Sequence, residues 1–276
     1  MLDVSCGVRE LLAARRDALG ALGTHARMLA RTTSTNDEAQ RWAAEGAPEG
    51  AWVLALEQTA GRGRRGRTWV SPPGAGLYLS VIFRPVAGER PDDPRSALLT
   101  LMAGVAVAET IRAETGIPVT LKWPNDVVLD ERTATGVRSR KLAGILAEGI
   151  STGSRLQSVI VGIGINLGPA AYPPEVAARA VSLAEVSRGP LDRDRLLVSL
   201  LVALAHRRRA LLEGGAAPLL ADWRRLSPSS VGTRVRWATG GEVFEGETEG
   251  IDERGALIVR SAEGETRLTA GEVVWA

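Results

Sequence analysis

The sequence predicts a mixed fold of helices and strands, followed by a small all-β unit at its C-terminal end. Two observations support this prediction. Up to about residue 228, segments with helical spacing of apolar residues are interspersed with short β-patterned segments. From residue 231 onward the chain shows only short β-patterned runs separated by glycine-rich turns, a texture typical of a small barrel.

The composition is that of a globular protein. Of the 276 residues 45% are apolar and 24% are charged, so disorder is not expected. The 34 basic and 32 acidic residues nearly balance, which argues against general nucleic-acid binding. No run is apolar enough for an ordinary transmembrane helix, and the N-terminus lacks the apolar region of a signal peptide, so we expect a cytoplasmic protein. One cysteine and two histidines argue against a disulfide or a zinc enzyme.

The N-terminal elements are predicted from periodicity and from helix-end signals. A helix is expected over residues 8–22, where apolar side chains recur on one face. In residues 33–38, Ser and Thr precede Asp and Glu by three positions, a capping pattern that predicts a helix ending near Gly46. Strands are expected over residues 52–57 and 77–84, with a loop over residues 61–66 between them.

The remaining elements follow the same signals. An alanine-rich helix over residues 96–115 is closed by Gly116. Periodicity predicts a long helix over residues 193–213 and a short one near residues 219–225. The polar residues 131–140 are interpreted as a hairpin loop. Further strands are expected over residues 119–123, 127–130, 141–149 and 157–167, and in the C-terminal unit over residues 233–238, 242–251, 256–261 and 265–269.

Residues 61–67 read Gly-Arg-Gly-Arg-Arg-Gly-Arg. They contain G-x-G-x-x-G, but Pro72 and Pro73 follow where a dinucleotide-binding fold requires a helix. Neighbouring guanidinium groups about 7 Å apart repel by about 0.6 kcal/mol per pair in water. We therefore expect a loop that is mobile alone and closes on a phosphate or carboxylate. A nucleic-acid contact loop and a solvated charge run remain alternatives.

Residues 122–126 read Lys-Trp-Pro-Asn-Asp and leave a predicted strand. Pro124 biases Trp123 toward extended geometry and makes a rigid corner. This corner presents a cation, an amide and a carboxylate close together. Asp126 is the candidate ligand for a magnesium ion or an orienting partner for Lys122. The alternative is an ordinary β-turn with solvated charges.

Lys141 begins a predicted strand and is expected to share a face with Ala143 and Ile145. A lysine on an apolar face is costly unless it meets an anion, and Gly144 permits close approach of a ligand. The alternative is a solvated lysine at a strand entrance.

Glycines alternate along the strand Gly-Ile-Gly-Ile-Asn at residues 162–166. They remove one face of the strand and are expected to leave room for a flat ligand, with Asn166 supplying an amide at the end. A bulge or tight sheet packing would explain them equally.

Five blocks together resemble the biotin–protein ligase family over residues 29–276. They occur in the order expected of that family: Ser34-Thr35-Asn36, Gln58 before the Gly-Arg loop, Lys-Trp-Pro-Asn-Asp, Lys-Leu-Ala-Gly-Ile-Leu and Gly-Ile-Gly-Ile-Asn. The resemblance implies an α+β catalytic domain related to class II aminoacyl-tRNA synthetases and lipoate ligases. It also implies three parts, an N-terminal helical segment (1–28), the catalytic domain (29–228) and an SH3-like barrel (229–276).

The resemblance further implies a two-step reaction. Biotin and Mg-ATP give biotinyl-5′-AMP and pyrophosphate, and the biotinyl group then passes to a lysine of a biotin carboxyl carrier protein. Because 33 residues precede Ser34, we expect the form without an N-terminal DNA-binding domain and no nucleic-acid or membrane partner. A lipoate–protein ligase-like enzyme is the near rival, and a nucleic-acid binder that uses tryptophans for stacking is the distant one. The sequence leaves the choice between monomer and homodimer open.

The resemblance also implies roles for individual residues. It implies catalytic roles for Lys141, Arg64 and Asp126, with Asp126 as the candidate magnesium ligand. It implies biotin contacts by Ser34, Thr35, Asn36, Gln58, Arg62, Gly63, Arg64, Lys141 and Gly144. It implies ATP or adenylate contacts by Arg64, Arg67, Lys122, Trp123, Asn125, Asp126 and Asn166.

Overall fold

The computed structural model describes residues 6–85, 94–134, 136–169, 172, 174–239, 241–269, 271 and 273–275. Residues 1–5 of the predicted N-terminal segment and residue 135 of the predicted hairpin loop lie outside this part. Within the described residues the strands form two sheets, one of seven strands and one of five. No described helix is both long and apolar enough to cross a membrane.

The seven-stranded sheet lies at the centre of the larger part of the chain. Its strands are β1 (Ala26–Leu29), β2 (Trp52–Ala55), β3 (Gly76–Phe83), β4 (Thr120–Lys122), β5 (Asp126–Thr133), β6 (Gly136–Thr152) and β7 (Arg155–Asn166). Their order is β1-β2-β3-β7-β6-β5-β4. The β1–β2 pair is parallel, and the described neighbours from β2 onward are antiparallel.

Helices cover both faces of this sheet. They are α1 (Cys6–Ala14), α2 (Arg16–Leu19), α3 (Thr35–Ala44), α4 (Pro94–Thr115), α5 (Pro174–Ala177), α6 (Leu183–Val186), α7 (Arg193–Gly214) and α8 (Ala216–Leu226). On one face α3 packs through the small side chains of Ala39 and Ala43, which bring the helix close to the strands. On the other face α4 packs on β6 and β7 and is itself covered by α7 and α8. Helices therefore pack on both faces of the sheet, while part of β6 and β7 lines a cavity.

The predicted first helix is broken in the structure. Helix α1 ends at Ala14, α2 spans Arg16–Leu19, and a 3-10 turn follows at Gly20–Gly23. Gly20 has a φ of +52°, which an α-helix does not accommodate. The sequence does not predict β1, and the predicted boundary after residue 28 falls inside that strand. The short helices α5 and α6 are also missed.

The polar residues 131–140 are mostly strand, so the loop prediction is wrong. Strand β5 continues to Thr133 and β6 begins at Gly136. Their register places Asp130 opposite Ser139, and the Arg140 guanidinium pairs with the Glu131 carboxylate. Opposite charges on adjacent strands stabilise a hairpin, which explains how a stretch of this polarity remains extended.

The C-terminal residues form the second sheet, which is antiparallel throughout. Its strands are β8 (Val231–Thr239), β9 (Glu242–Ile251), β10 (Leu257–Ser261), β11 (Gly264–Leu268) and β12 (Val273–Trp275), in the order β11-β10-β9-β8-β12. Four of these strands are predicted, and β12 is not. The indole of Trp123 donates to the Gly255 carbonyl (3.0 Å), which ties this sheet to the β4–β5 corner.

Candidate active site

A cavity of about 760 Å³ lies at the seven-stranded sheet, on the side that carries the start of α3. The predicted site residues all contribute to its lining. They are Ser34, Thr35, Asn36, Gln58, Arg62, Gly63, Arg64, Arg67, Lys122, Trp123, Asn125, Asp126, Lys141, Gly144 and Asn166. Residues 273–275 of the second sheet close another part of the wall. The sequence pattern therefore identifies residues that the fold brings to one place.

The start of α3 is capped from a distance. Ser34 occupies the N-cap position, but no capping hydrogen bond from its side chain is found among the described residues. Instead, Oε1 of Gln58 accepts from the Thr35 backbone N–H (2.8 Å) and lies 3.1 Å from the Thr35 hydroxyl. Nε2 of Gln58 donates to the Ser71 hydroxyl (2.8 Å). The free N–H groups of a helix start are thus joined to an amide on the cavity wall.

Asn36 occupies the next position of α3 and is 3% exposed. Its Nδ2 donates to the Glu148 carboxylate (2.6 Å), and its Oδ1 accepts from the Ser80 hydroxyl (2.6 Å). Glycine is required at Gly162, because a Cβ atom there would lie 2.2 Å from Asn36 Oδ1. A row of hydroxyl and amide groups therefore follows this wall of the cavity.

The Gly-Arg loop extends over the opening. Arg62 forms ion pairs with Asp37 (2.8 Å) and Glu148 (2.9 Å). Arg64 reaches into the cavity, where its Nη1 lies 3.4 Å from Asn125 Oδ1. Burial lowers the pKa of Arg64, and the nearby Asp126 carboxylate partly opposes this shift. A buried guanidinium of this kind is stabilised when an anion arrives.

The Lys-Trp-Pro-Asn-Asp corner joins β4 to β5. Its Trp123–Pro124 peptide bond is cis. Asn125 holds the corner against β6, since its Nδ2 donates to the Ile145 carbonyl (2.8 Å) and its carbonyl accepts from the Ile145 N–H (2.9 Å). Burial lowers the pKa of Lys122, although Asp126 and Asp130 oppose the shift.

Lys141 and Asp126 form an ion pair in the lining of the cavity. The Lys141 Nζ lies 2.5 Å from Asp126 Oδ1 and 5.3 Å from the centre of the Trp69 ring. A register shift between Val127 and Val128 pairs Val128 with Lys141 and leaves Leu142 as an extra residue. This bulge turns Lys141 toward the side of Gly144, so the predicted common face with Ala143 and Ile145 is wrong.

Comparisons with known proteins agree with this architecture. A model described as the biotin/lipoate A/B protein ligase family matches residues 28–166, and a biotin protein ligase C-terminal domain model matches residues 231–275. The chain belongs to the biotin/lipoate A/B protein ligase family. It is 37% identical over 257 residues to a biotin–[acetyl-CoA-carboxylase] ligase of Paracoccus denitrificans, a match that covers 89% of this chain and 98% of that protein.

Further relatives of the ligase family match along most of the chain. A biotin–[acetyl-CoA-carboxylase] ligase of Mycobacterium tuberculosis is 36% identical over 269 residues, covering 94% of this chain and 93% of that protein. A biotin protein ligase from Aquifex aeolicus, solved in complex with biotin and ATP, superposes with a TM-score of 0.74 at 27% identity. That match covers 92% of this chain and 99% of the solved chain. The α+β fold with a C-terminal SH3-like unit is therefore confirmed.

Other side chains take part of the space beside the alternating glycines, although Gly162 and Gly164 also line the cavity. A Cβ atom on Gly164 would lie 2.5 Å from the Trp69 indole, and one on Gly144 would lie 3.0 Å from it. The sequence analysis missed Trp69 as a site residue. Its indole Nε1 is buried and has no hydrogen-bond partner among the described residues. In this ligase the glycines thus seat an aromatic ring, and a flat ligand would meet that ring.

Asn166 has a structural contact set. Its Nδ2 lies 3.1 Å from the Val181 carbonyl and 3.3 Å from the Lys141 carbonyl, and the residue is 5% exposed. The Asn166 amide therefore joins the end of β7 to the backbone of Lys141 in β6 and to the backbone of Val181. Arg67 is exposed at the rim of the cavity.

The metal-binding capacity of the site is limited. Within the described part of the chain, no group of three or more His, Cys, Asp or Glu side chains is placed to hold a metal ion. Asp126 is the carboxylate among the described residues that line the cavity. Magnesium is commonly held by one or two carboxylates together with substrate phosphates. The donor set therefore fits an ion that is bound jointly with a nucleotide.

Proposed function

We propose that the protein is a biotin–protein ligase that activates biotin with ATP and transfers the biotinyl group to a lysine of a biotin carboxyl carrier protein. One observation carries this proposal: a single cavity combines an amide and hydroxyl wall with a cluster of cations. The first suits a ureido ring and the second suits phosphates. Family membership and the near full-length relatives named as biotin ligases support the same reaction.

The wall formed by Ser34, Thr35, Asn36 and Gln58 is the proposed biotin end. The ureido ring carries two N–H donors and one carbonyl acceptor, and each must find a partner when it is buried. Hydroxyl and amide groups supply both kinds of partner within a short distance. The backbone of the loop at Gly63 can approach the ligand closely because it has no side chain there.

The proposed reactive centre lies between Lys141 and Arg64. Two unit negative charges 4 Å apart repel by about 4 kcal/mol at an effective dielectric constant of 20, so a carboxylate and an α-phosphate need cations between them. Lys141 and Arg64 supply these cations, and Lys141 exchanges its Asp126 partner for the ligand. A biotin carboxylate oxygen then attacks the α-phosphorus of ATP. The bond between the α-phosphorus and the oxygen that bridges it to the β-phosphorus breaks, and pyrophosphate leaves.

The second step uses the same centre. The uncharged amine of the acceptor lysine attacks the carbonyl carbon of biotinyl-5′-AMP, AMP leaves, and the amine loses one proton. The arginines of the loop hold the AMP phosphate during this step. Closure of residues 61–67 excludes water, which would otherwise hydrolyse the mixed anhydride.

We place the nucleotide at the Lys-Trp-Pro-Asn-Asp corner. Lys122, Trp123, Asn125 and Asp126 line this end, and Arg67 and Asn166 lie at its borders. Asp126 would hold a magnesium ion together with the phosphates. When bound, this ion would neutralise charge on the leaving pyrophosphate.

The partner and the setting follow from the same proposal. The acceptor is a biotin carboxyl carrier protein, and the reaction takes place in the cytoplasm. Family membership alone admits a lipoate–protein ligase-like acyl-adenylate transferase as the second candidate.

The decisive test offers biotin and lipoate separately in an ATP–pyrophosphate exchange assay. We expect biotin to support exchange and lipoate to support little or none. Transfer is then followed as labelled biotin on a purified carrier domain and on the same domain with its acceptor lysine replaced by arginine. Exchange that lipoate supports and biotin does not, or no exchange with either acid, would refute the proposal.

A further inference from the structure

We infer that Glu148 is a positioning residue that sets the direction of hydrogen bonding along the biotin-recognition wall. The inference rests on the proposed function. Among the described residues, Oε2 of Glu148 accepts from three side chains: Asn36 (2.6 Å), Arg62 (2.9 Å) and Gln40 (3.4 Å). These side chains come from α3 and from the Gly-Arg loop, whereas Glu148 lies on β6.

The carboxylate is the nearer of two acceptors that orient the Asn36 amide, since Nδ2 lies 2.6 Å from Glu148 and 3.5 Å from the Leu146 carbonyl. An amide can turn its oxygen or its nitrogen toward a neighbour, and the two ends have nearly the same shape. An ionised carboxylate only accepts, so Nδ2 must face Glu148 and Oδ1 must face Ser80. Ser80 therefore donates its single hydroxyl proton to Asn36 (2.6 Å).

The direction of the Ser80 hydrogen bond also determines how the Thr35 hydroxyl is oriented. The Ser80 oxygen lies 2.8 Å from Thr35 Oγ1 and is available there as an acceptor. On its other side Thr35 Oγ1 lies 3.1 Å from Gln58 Oε1, which is also an acceptor because it receives the Thr35 N–H. The Thr35 hydroxyl donates to one of these two oxygens and presents only a lone pair to the cavity. This lone pair matches an N–H of a ureido ring.

Glu148 also places the loop. The Nη2 of Arg62 lies between Glu148 and Asp37, so the carboxylate that orients Asn36 also holds one end of the Gly-Arg loop. The Glu148 side chain is about one-quarter exposed (27%), whereas the Asp37 side chain is 39% exposed. Among the described residues, Asn36 Nδ2 donates to Glu148 and to the Leu146 carbonyl, and Asp37 forms no hydrogen bond with it. Asp37 thus provides a matched control that shares the arginine and not the amide.

The test compares biotin and ATP affinity, measured separately by calorimetry, in Glu148→Ala, Glu148→Gln and Asp37→Asn. We expect Glu148→Ala to weaken biotin binding about tenfold or more, as for loss of a buried hydrogen bond, and to change ATP binding less than about threefold. Glu148→Gln should recover most of the biotin affinity, because its amide oxygen can still accept from Asn36. Asp37→Asn should stay within about threefold of the wild type.

Ser80→Ala provides a second, independent test. Ser80→Ala interrupts the same series of hydrogen bonds without touching Glu148, so it should also weaken biotin binding selectively, even if Glu148→Ala does not fold. Unchanged biotin affinity in Glu148→Ala or in Ser80→Ala would overturn the inference, as would equal losses for biotin and ATP. If the wild-type protein binds no biotin, the proposed function fails instead, and the two failures are distinguishable.

Discussion

Trp69 and Gly164 lie in direct contact, with the indole occupying the place that a side chain on β7 would fill. A Cβ atom on Gly164 would come within 2.5 Å of the ring. The second residue after the Gly-Arg loop is therefore seated on the strand that ends at Asn166. Trp69 can occupy this place only because residue 164 has no side chain, so the position of the chain just after the loop depends on Gly164.

We expect Gly164→Ala to displace Trp69 and to lower the free energy of unfolding by about 1–3 kcal/mol, as overpacking does. Biotin-dependent adenylate formation should fall with it. Gly189→Ala is the control, because a Cβ atom there would meet nothing within 4 Å, and it should change stability by less than about 0.5 kcal/mol. Urea unfolding and pyrophosphate exchange measure both effects. Equal stability and equal exchange rates of the two variants would show that the contact between Trp69 and Gly164 contributes to neither.

Replacement of Lys141 tests the reactive centre. Lys141→Ala should reduce adenylate formation by at least about 100-fold, since it removes a cation from the site of charge neutralisation. The variant should still fold, as circular dichroism would verify, although Asp126 loses its partner and some stability should be lost. Lys141→Arg keeps the charge but not the compact ammonium, and it should recover only part of the activity. Near-normal exchange by Lys141→Ala would contradict the assignment.

The affinity for ATP should depend on the protonation of Lys122. Burial lowers the pKa of this lysine below its usual value of 10.5. A lysine is charged below its pKa, so ATP affinity should be highest near neutral pH and should fall as the pH rises through the lowered pKa. Lys122→Arg should remove this alkaline loss, because arginine stays charged. Calorimetric titrations between about pH 7 and pH 10 would measure both curves, and parallel curves would exclude Lys122.

An ion-pair group behind the sheet should contribute to stability. Arg207 of α7 is mostly buried, pairs with Asp222 of α8 (2.5 Å) and is hydrogen-bonded to Glu109 of α4. Arg207→Met leaves both carboxylates without this partner and should lower the free energy of unfolding by about 3 kcal/mol. Arg236→Ala removes an exposed arginine 3.9 Å from Glu245 and should cost less than about 1 kcal/mol. Similar urea midpoints for the two variants would contradict this difference.

The loop at residues 61–67 should become ordered on binding, which stays a prediction from the sequence. Ordering seven residues costs about 7–14 kcal/mol of backbone entropy, and contacts with a bound anion offset this cost. Amide hydrogen exchange in this segment should slow strongly when biotin and ATP are added together, with helix α7 as the internal control. Equal protection with and without ligands would argue against closure.

The sequence singled out residues that the fold brings to one cavity, and it predicted the elements around them less well. Charged residues such as Lys141 and Arg64 could be found because a cation near apolar or glycine-rich sequence requires an anion. Trp69 could not be distinguished from a core aromatic, although the glycines that seat it were visible. Glu148 was missed because one acidic residue on a strand carries no signal until the fold brings Asn36 and Arg62 to it.

The errors in the predicted fold also have physical causes. The bulge at Leu142 depends on pairing with β5, so the alternation of a single strand could not place Lys141 on the correct side. The strand β1 has only four residues and no clear alternation of apolar side chains, and it is stabilised by its parallel neighbour β2. The mispredicted elements are thus those whose structure depends on pairing with a strand distant in the sequence.

The hydrogen bond from Trp123 to the Gly255 carbonyl has a consequence for protein engineering. The turn at Gly255 has a φ of +81° and lies so close to α4 that a Cβ atom would come within 2.6 Å of Leu101. A chimaera that took its C-terminal part from another ligase would keep the Trp123 hydrogen bond only if the graft brought a glycine to this turn. Exchange of the C-terminal unit is therefore constrained by one backbone position in the turn between β9 and β10.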